Sequence, residues 1–210
     1  MNKLLVVFTF LFVITHTSFC QTNDTKGVKQ TFEKYKTAIL NDQGETALHA
    51  VDSRTQKYYN DILSMVKNAD SMEIVKLSLI DKITVFSIRH RATKEEIENM
   101  DGNELFIYAI KKGMVGKNSV VNNTIGEVTV DGTFAKGQLV VSGQKTPYYF
   151  HFYKESNAWK PDLTSLFPLS NTALKQMVNQ SGENENEFIF SLLEMITGTR
   201  PGTEIWQKLN

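Results

Sequence analysis

The sequence predicts an α+β protein, with N-terminal helices packed on a curved antiparallel β-meander, an extra helical cluster and a C-terminal helical extension. Three observations predict it. Four short β-type runs follow one another at close intervals within residues 126–166, separated by turn residues, as in an antiparallel meander. Apolar residues at helical spacing occupy 28–67, 71–116 and 170–210. Their stripes need a sheet face to cover, and the stretch 124–166 is where the sequence offers one.

Taken in order, residues 1–20 read as a signal peptide. Lys3 supplies the positive start, 4–14 is a near-continuous apolar run, and Ser18 and Cys20 are small residues placed for cleavage before Gln21. The run is shorter than the roughly 20 apolar residues a membrane span needs, so no transmembrane segment is expected. Cys20 is the single cysteine. Lipidation of Cys20 is the less favoured alternative, because Phe19 before it is large. Cleavage after Cys20 leaves no thiol in the mature chain, and hence neither disulfides nor a cysteine nucleophile. The expected location is periplasmic or secreted, with 21–210 folded as one domain.

Residues 22–26 read as a polar leader. Val28, Phe32, Tyr35, Ala38 and Ile39 then form one helical stripe. A short helix over 45–51 follows, and Asp52 or Ser53 is placed to cap a third over 55–67. Ser71 is the expected cap of the next segment. The segment 84–88 fits helix and strand equally, while Thr93 and Glu96 form a capping box. Asp101-Gly102 breaks that helix, and another runs over 103–112 with Gly113 behind it. In the meander, Asp131-Gly132 is the expected first hairpin turn, 142–145 a looser second one, and Ser156-Asn157 the third. Pro147 is expected where the third strand starts. Pro168 is expected to end regular structure before helices over 171–178 and 187–196. Ile205 and Trp206 read as a plug that docks on the body.

Pairing Glu155 with Ala158 sets the register of the last hairpin. It places His151 opposite Asp162, Phe152 opposite Pro161, Phe150 opposite Leu163 and Tyr149 opposite Thr164. With faces alternating every residue, Tyr148, Phe150, Phe152, Trp159, Pro161 and Leu163 belong on a core. Tyr149, His151, Tyr153, Lys160, Asp162 and Thr164 belong on the wet face.

This order resembles the nuclear transport factor 2-like superfamily, in the segments 28–40, 44–51, 55–63 and 126–166, ending in Trp159-Lys160-Pro161-Asp162-Leu163. The blocks 79–91 and Met100-Asp101-Gly102 look like a secreted bacterial branch of it. The helical cluster 71–116 and the extension 168–210 exceed what the simple fold needs. The resemblance implies a cystatin-like α+β cone whose sheet wraps a helix and leaves an apolar pocket at the open end. Some members are isomerases or dehydratases, and others bind ligands or proteins, so the fold selects no function.

Composition excludes some classes. Lys and Arg number 23 and Asp and Glu 23, which leaves no basic excess for nucleic acid. No His/Asp/Glu spacing matches a metal site, no Gly-rich phosphate loop follows a strand, and no cofactor is expected. His151, Asp162 and Tyr149 are the candidate acid/base group. The bland reading, an exposed polar pair on the outer sheet face, is favoured. Tyr35, Tyr58 and Tyr59 are candidates for a pocket mouth, and Arg89 and Arg91 for an anion site. The same arginines also suit a helix C-terminus. The sequence-level expectation is a non-enzymatic protein that binds a small apolar molecule or a protein partner, with a homodimer possible. The alternative is a cofactor-free lyase or isomerase.

Overall fold

The computed structural model describes residues 17–115 and 117–209. The apolar run 4–14 lies outside the described residues. The protein is α+β: helices surround one four-stranded antiparallel sheet in the order β1-β2-β3-β4.

Helix α1 (Thr17–Leu40) starts well before Val28 and runs through the expected Cys20–Gln21 junction. The polar leader is therefore helical. Tertiary contacts explain this: the Asp24 carboxylate accepts from Trp159 Nε1 at 2.9 Å and Lys154 Nζ at 2.7 Å. Gly27 lets the Trp159 ring lie against the helix, since a Cβ there would stand 3.0 Å from it. Helices α2 (Gly44–Ala50) and α3 (Ser53–Asn68) follow, the latter capped by Asp52.

Helices α4 (Ser71–Ile74), α5 (Leu79–Arg91), α6 (Lys94–Asn99) and α7 (Gly102–Lys111) make the extra cluster. The ambiguous segment 84–88 is helical, inside α5. Val85, Phe86 and Ile88 are buried there against Ile62, Leu105 and Ile189, and this tertiary burial decides what propensity left open. Asp70, not Ser71, caps α4. Its carboxylate accepts from the N–H groups of Met72 and Glu73, while Glu73 returns the bond to Asp70. The Thr93–Glu96 capping box forms as the spacing implies, and Asp70–Glu73 and Asp101–Glu104 make two more.

The meander comprises β1 (Asn123–Asp131), β2 (Phe134–Val141), β3 (Gln144–Glu155) and β4 (Ala158–Asp162). The first turn is Gly132-Thr133, one residue later than expected, with the positive φ on Gly132. The second is tighter than expected: Ser142 and Gly143 both take positive φ, as do Ser156 and Asn157 in the third. Strand β3 begins at Gln144, so Pro147 lies within it. The pairing with β2 jumps there, from Gln138↔Tyr149 to Val140↔Lys145. A bulge tolerates a residue without an N–H.

The β3–β4 register is the expected one from Glu155↔Ala158 to His151↔Asp162. The strand then stops. Residues 163–166 form a 3-10 turn, so Leu163 and Thr164 do not pair with Phe150 and Tyr149. Pro168 does not end regular structure either. It occupies the first turn of helix α8 (Phe167–Ser181), where its missing N–H removes no helix bond. Helix α9 (Glu185–Thr197) and a 3-10 turn at Thr203–Trp206 complete the chain.

One face of the sheet packs on α1. Val28 and Phe32 meet Ala135, Phe150, Phe152 and Trp159 there, with the Phe32 and Phe150 rings 5.4 Å apart. Gly137 has a packing reason on this face: a Cβ would stand 2.6 Å from Ile125 Cγ2 and 3.0 Å from Phe152 Cε2. A second cluster joins the C-terminal half of α1 to α2 and α7, and a third lies among α3, α5, α9 and the Ile205 turn. Ile205 is buried and the Trp206 ring meets Phe86 edge-on at 4.6 Å.

Candidate functional site

The opposite face of the sheet bears the site. Because faces alternate along a strand, Phe134 and Lys136 of β2 and Tyr149, His151 and Tyr153 of β3 share it, in the pairs Phe134↔Tyr153, Lys136↔His151 and Gln138↔Tyr149. The Arg54 guanidinium lies 3.4 Å from the centre of the Tyr153 ring and covers one end. Helix α8 stands over the other end.

The termination of β4 shapes this arrangement. Asp162 Oδ1 accepts from Thr164 N at 2.9 Å and Thr164 Oγ1 at 2.6 Å, which turns the chain away from β3. Ser165 Oγ donates to the Asp162 carbonyl at 2.6 Å and accepts from His151 N at 3.3 Å, meeting a β3 donor at the point where β4 departs. The turn delivers the chain into α8. That helix is held by Phe167, edge-on to Tyr58 at 4.7 Å, and by Asn171 Oδ1, which accepts from Ile80 N at 2.9 Å.

Between sheet and helix lies an open groove of about 540 Å³. Its floor and rim are Lys136, Pro147, Tyr148, Tyr149 and His151. Its wall is Ser165, Leu166, Pro168, Leu169 and Thr172. Tyr148 and Tyr149 remain 43% and 42% exposed. The exposure of Tyr148 corrects its assignment to the core face. It lies next to the Pro147 irregularity, where simple alternation breaks, and both tyrosines line the groove.

The candidate acid/base residues are only partly brought together. His151 and Tyr149 line the groove, and Asp162 is buried beneath it. No hydrogen bond joins the His151 and Asp162 side chains among the described residues. The His151 ring makes an edge contact with Phe134, centroids 5.2 Å apart. Its pKa is lowered, first by burial and then by the Lys136 ammonium, while Asp162 pulls the other way. The ring is thus mostly neutral at pH 7.

The tyrosines expected at a pocket mouth lie elsewhere. Tyr35 is buried beside Ala38 and Ile39, and burial pushes its hydroxyl pKa up. Tyr59 packs edge-on to Phe106 at 4.8 Å, and burial pushes its hydroxyl up to about 12. Tyr58 donates to Asp81 Oδ1 at 3.0 Å. Its hydroxyl pKa is raised by burial, then by the Asp81 charge.

Arg89 and Arg91 serve backbone carbonyls. Arg89 is buried and donates to Val66 O at 2.9 Å, Met65 O at 3.1 Å, Ala69 O at 2.7 Å and Ile205 O at 2.8 Å. It closes the C-terminal end of α3, whose last carbonyls lack helical partners. Arg91 donates to Lys112 O at 2.5 Å. Lys136 and the wall of α8 were missed by sequence reasoning. The alternation of β2 puts Lys136 in line with His151 once the β2–β3 register is known; α8 carries no comparable signal.

Among the described residues no helix is long and apolar enough to cross a membrane, and no three His, Cys, Asp or Glu side chains converge as a metal site. Comparison of the chain with protein-family models, curated proteins and solved structures finds no match.

Proposed function

We propose that this chain is an exported, non-enzymatic binding protein that takes a small apolar ligand in the groove between the outer sheet face and α8. The observation that carries this reading is the exposed pair Tyr148 and Tyr149 lining a cavity of about 540 Å³. Small-molecule sites fall in the range of roughly 300–1,000 Å³ and combine apolar walls with a few polar groups. Pro147, Leu166 and Leu169 supply further apolar lining here, and His151, Ser165 and Thr172 supply polar groups. The apolar run 4–14 before Cys20 and Gln21 supports export. The order of α1, α2 and α3 followed by a meander closing in Trp159-Lys160-Pro161-Asp162-Leu163 supports membership of the nuclear transport factor 2-like superfamily.

Acid/base catalysis by His151 requires a partner that holds its ring. Asp162 Oδ1 instead holds Thr164, which weighs against the lyase or isomerase reading. The test is native mass spectrometry of the protein purified from its host without refolding. A reproducible extra mass, lost in Tyr149→Ala, is the expected result. A bare chain in both would defeat the proposal.

A further inference from the structure

Among the described residues Lys136 takes part in no ion pair, unlike two other lysines of the sheet. Lys145 meets Glu127 at 2.6 Å and Lys154 meets Asp24 at 2.7 Å. The Lys136 ammonium instead lies 6.0 Å from the centre of the Phe134 ring. It borders a groove whose lining includes no Asp or Glu. The acid nearest in register is Asp162, opposite His151, and one of its oxygens is taken up by Thr164. The other polar lining groups are hydroxyls and an imidazole, all able to donate to an anion. The apolar lining is flat and aromatic on one side, with Tyr148 and Tyr149, and aliphatic on the other, with Leu169.

We infer that the ligand class is small carboxylic acids with a flat apolar body, the carboxylate held at Lys136 beside His151 and the body lying along Tyr148 and Tyr149. This rests on the groove being the binding site. A charge-assisted bond to an ammonium is stronger than a neutral one, and here it would complete a cation that the described residues leave without an acid. Binding is also linked to protonation. The groups facing His151 are Lys136 from β2, Asp162 from β4, Phe134, and Ser165 from the turn before α8. A carboxylate placed between Lys136 and His151 offsets the effect of Lys136 on the ring and raises its proton affinity. By reciprocity, affinity rises as pH falls from 7.5 toward 6.

The test uses 2-naphthoate and 2-naphthamide, which match in shape and differ in charge. Each is titrated calorimetrically into the protein, with the His151 ring proton followed by NMR. The expected result is naphthoate binding about tenfold tighter than the amide, a shifted His151 signal, and loss of that preference in Lys136→Gln. Equal affinities that both move His151 would overturn the carboxylate inference and leave the groove reading standing. Naphthoate binding that ignores Lys136→Gln, or leaves His151 unmoved, would also overturn it. Failure of both compounds to perturb His151 or Tyr149 would overturn the groove reading as well.

Discussion

Strand β3 presents two faces that differ in what covers them. Phe150 and Phe152 point at α1, which brings Val28 and Phe32 into the same buried cluster. Tyr149 and His151, their immediate neighbours, point at α8, a helix of 15 residues with no fully buried side chain. The dry face is filled closely enough that Gly137 has no room for a Cβ. The other face retains a cavity and, at Lys136, a cation in no ion pair among the described residues. Cohesion is concentrated on one side of the strand, and recognition chemistry is left to the other.

Substitutions on the two faces are expected to separate accordingly. The largest effect belongs to Phe152→Ala, at a fully buried ring. About 3–5 kcal/mol of stability should be lost, measured by urea unfolding, and a loss below about 1 kcal/mol would show that α1 and the sheet are not the core. Gly137→Ala follows, at about 1–3 kcal/mol, because the new methyl meets Ile125 and Phe152 at clash distance. Asp52→Ala removes the buried carboxylate that accepts from Thr55 N and Oγ1, both at 2.9 Å. A cost of about 1–2 kcal/mol is expected from the same unfolding assay. On the open face, Tyr149→Ala should change stability by less than about 0.5 kcal/mol while weakening ligand binding. A larger stability loss would mean that this face is core too.

The smallest effect is the pH dependence contributed by His151. Its folded-state pKa lies below the ordinary imidazole value, mainly through burial. The unfolded chain therefore binds more protons in the window just below the ordinary value. The contribution to stability is fully present above about pH 6.5 and is lost as pH falls through the folded-state value. His151→Gln should flatten the slope of the unfolding midpoint between pH 7.5 and 5. An unchanged slope would place the titration elsewhere.

Much of this arrangement was legible in the sequence, for identifiable reasons. The β3–β4 register followed from Ser156-Asn157, because a two-residue turn there pairs Glu155 with Ala158 and so Phe152 with Pro161. The capping box at Thr93 was legible because its spacing is its geometry. Other features depended on partners far along the chain. The 22–26 leader gave no apolar stripe, yet it is helical because Asp24 meets Trp159. Pro168 reads as a breaker or as a helix start depending on the turn before it, and Asp162 builds that turn. The site was half legible. Tyr149 and His151 were placed on the right face, but the groove exists only because α8 returns over it, and no local pattern reports that return. Arg89 was drawn toward anion binding by its neighbours in sequence, whereas its partners are carbonyls of α3 and Ile205.

That arginine also constrains the order in which the chain can be completed. The bond from Arg89 to the Ile205 carbonyl spans 116 residues, so a chain emerging from the ribosome makes Arg89 long before it makes Ile205. Until then the hydrophobic seam of Phe86 and Ile88 has neither Ile205 nor Trp206 to cover it. A nascent chain shorter than about 205 residues is therefore left with an open helical half, exposed to chaperones and proteases for as long as synthesis lasts.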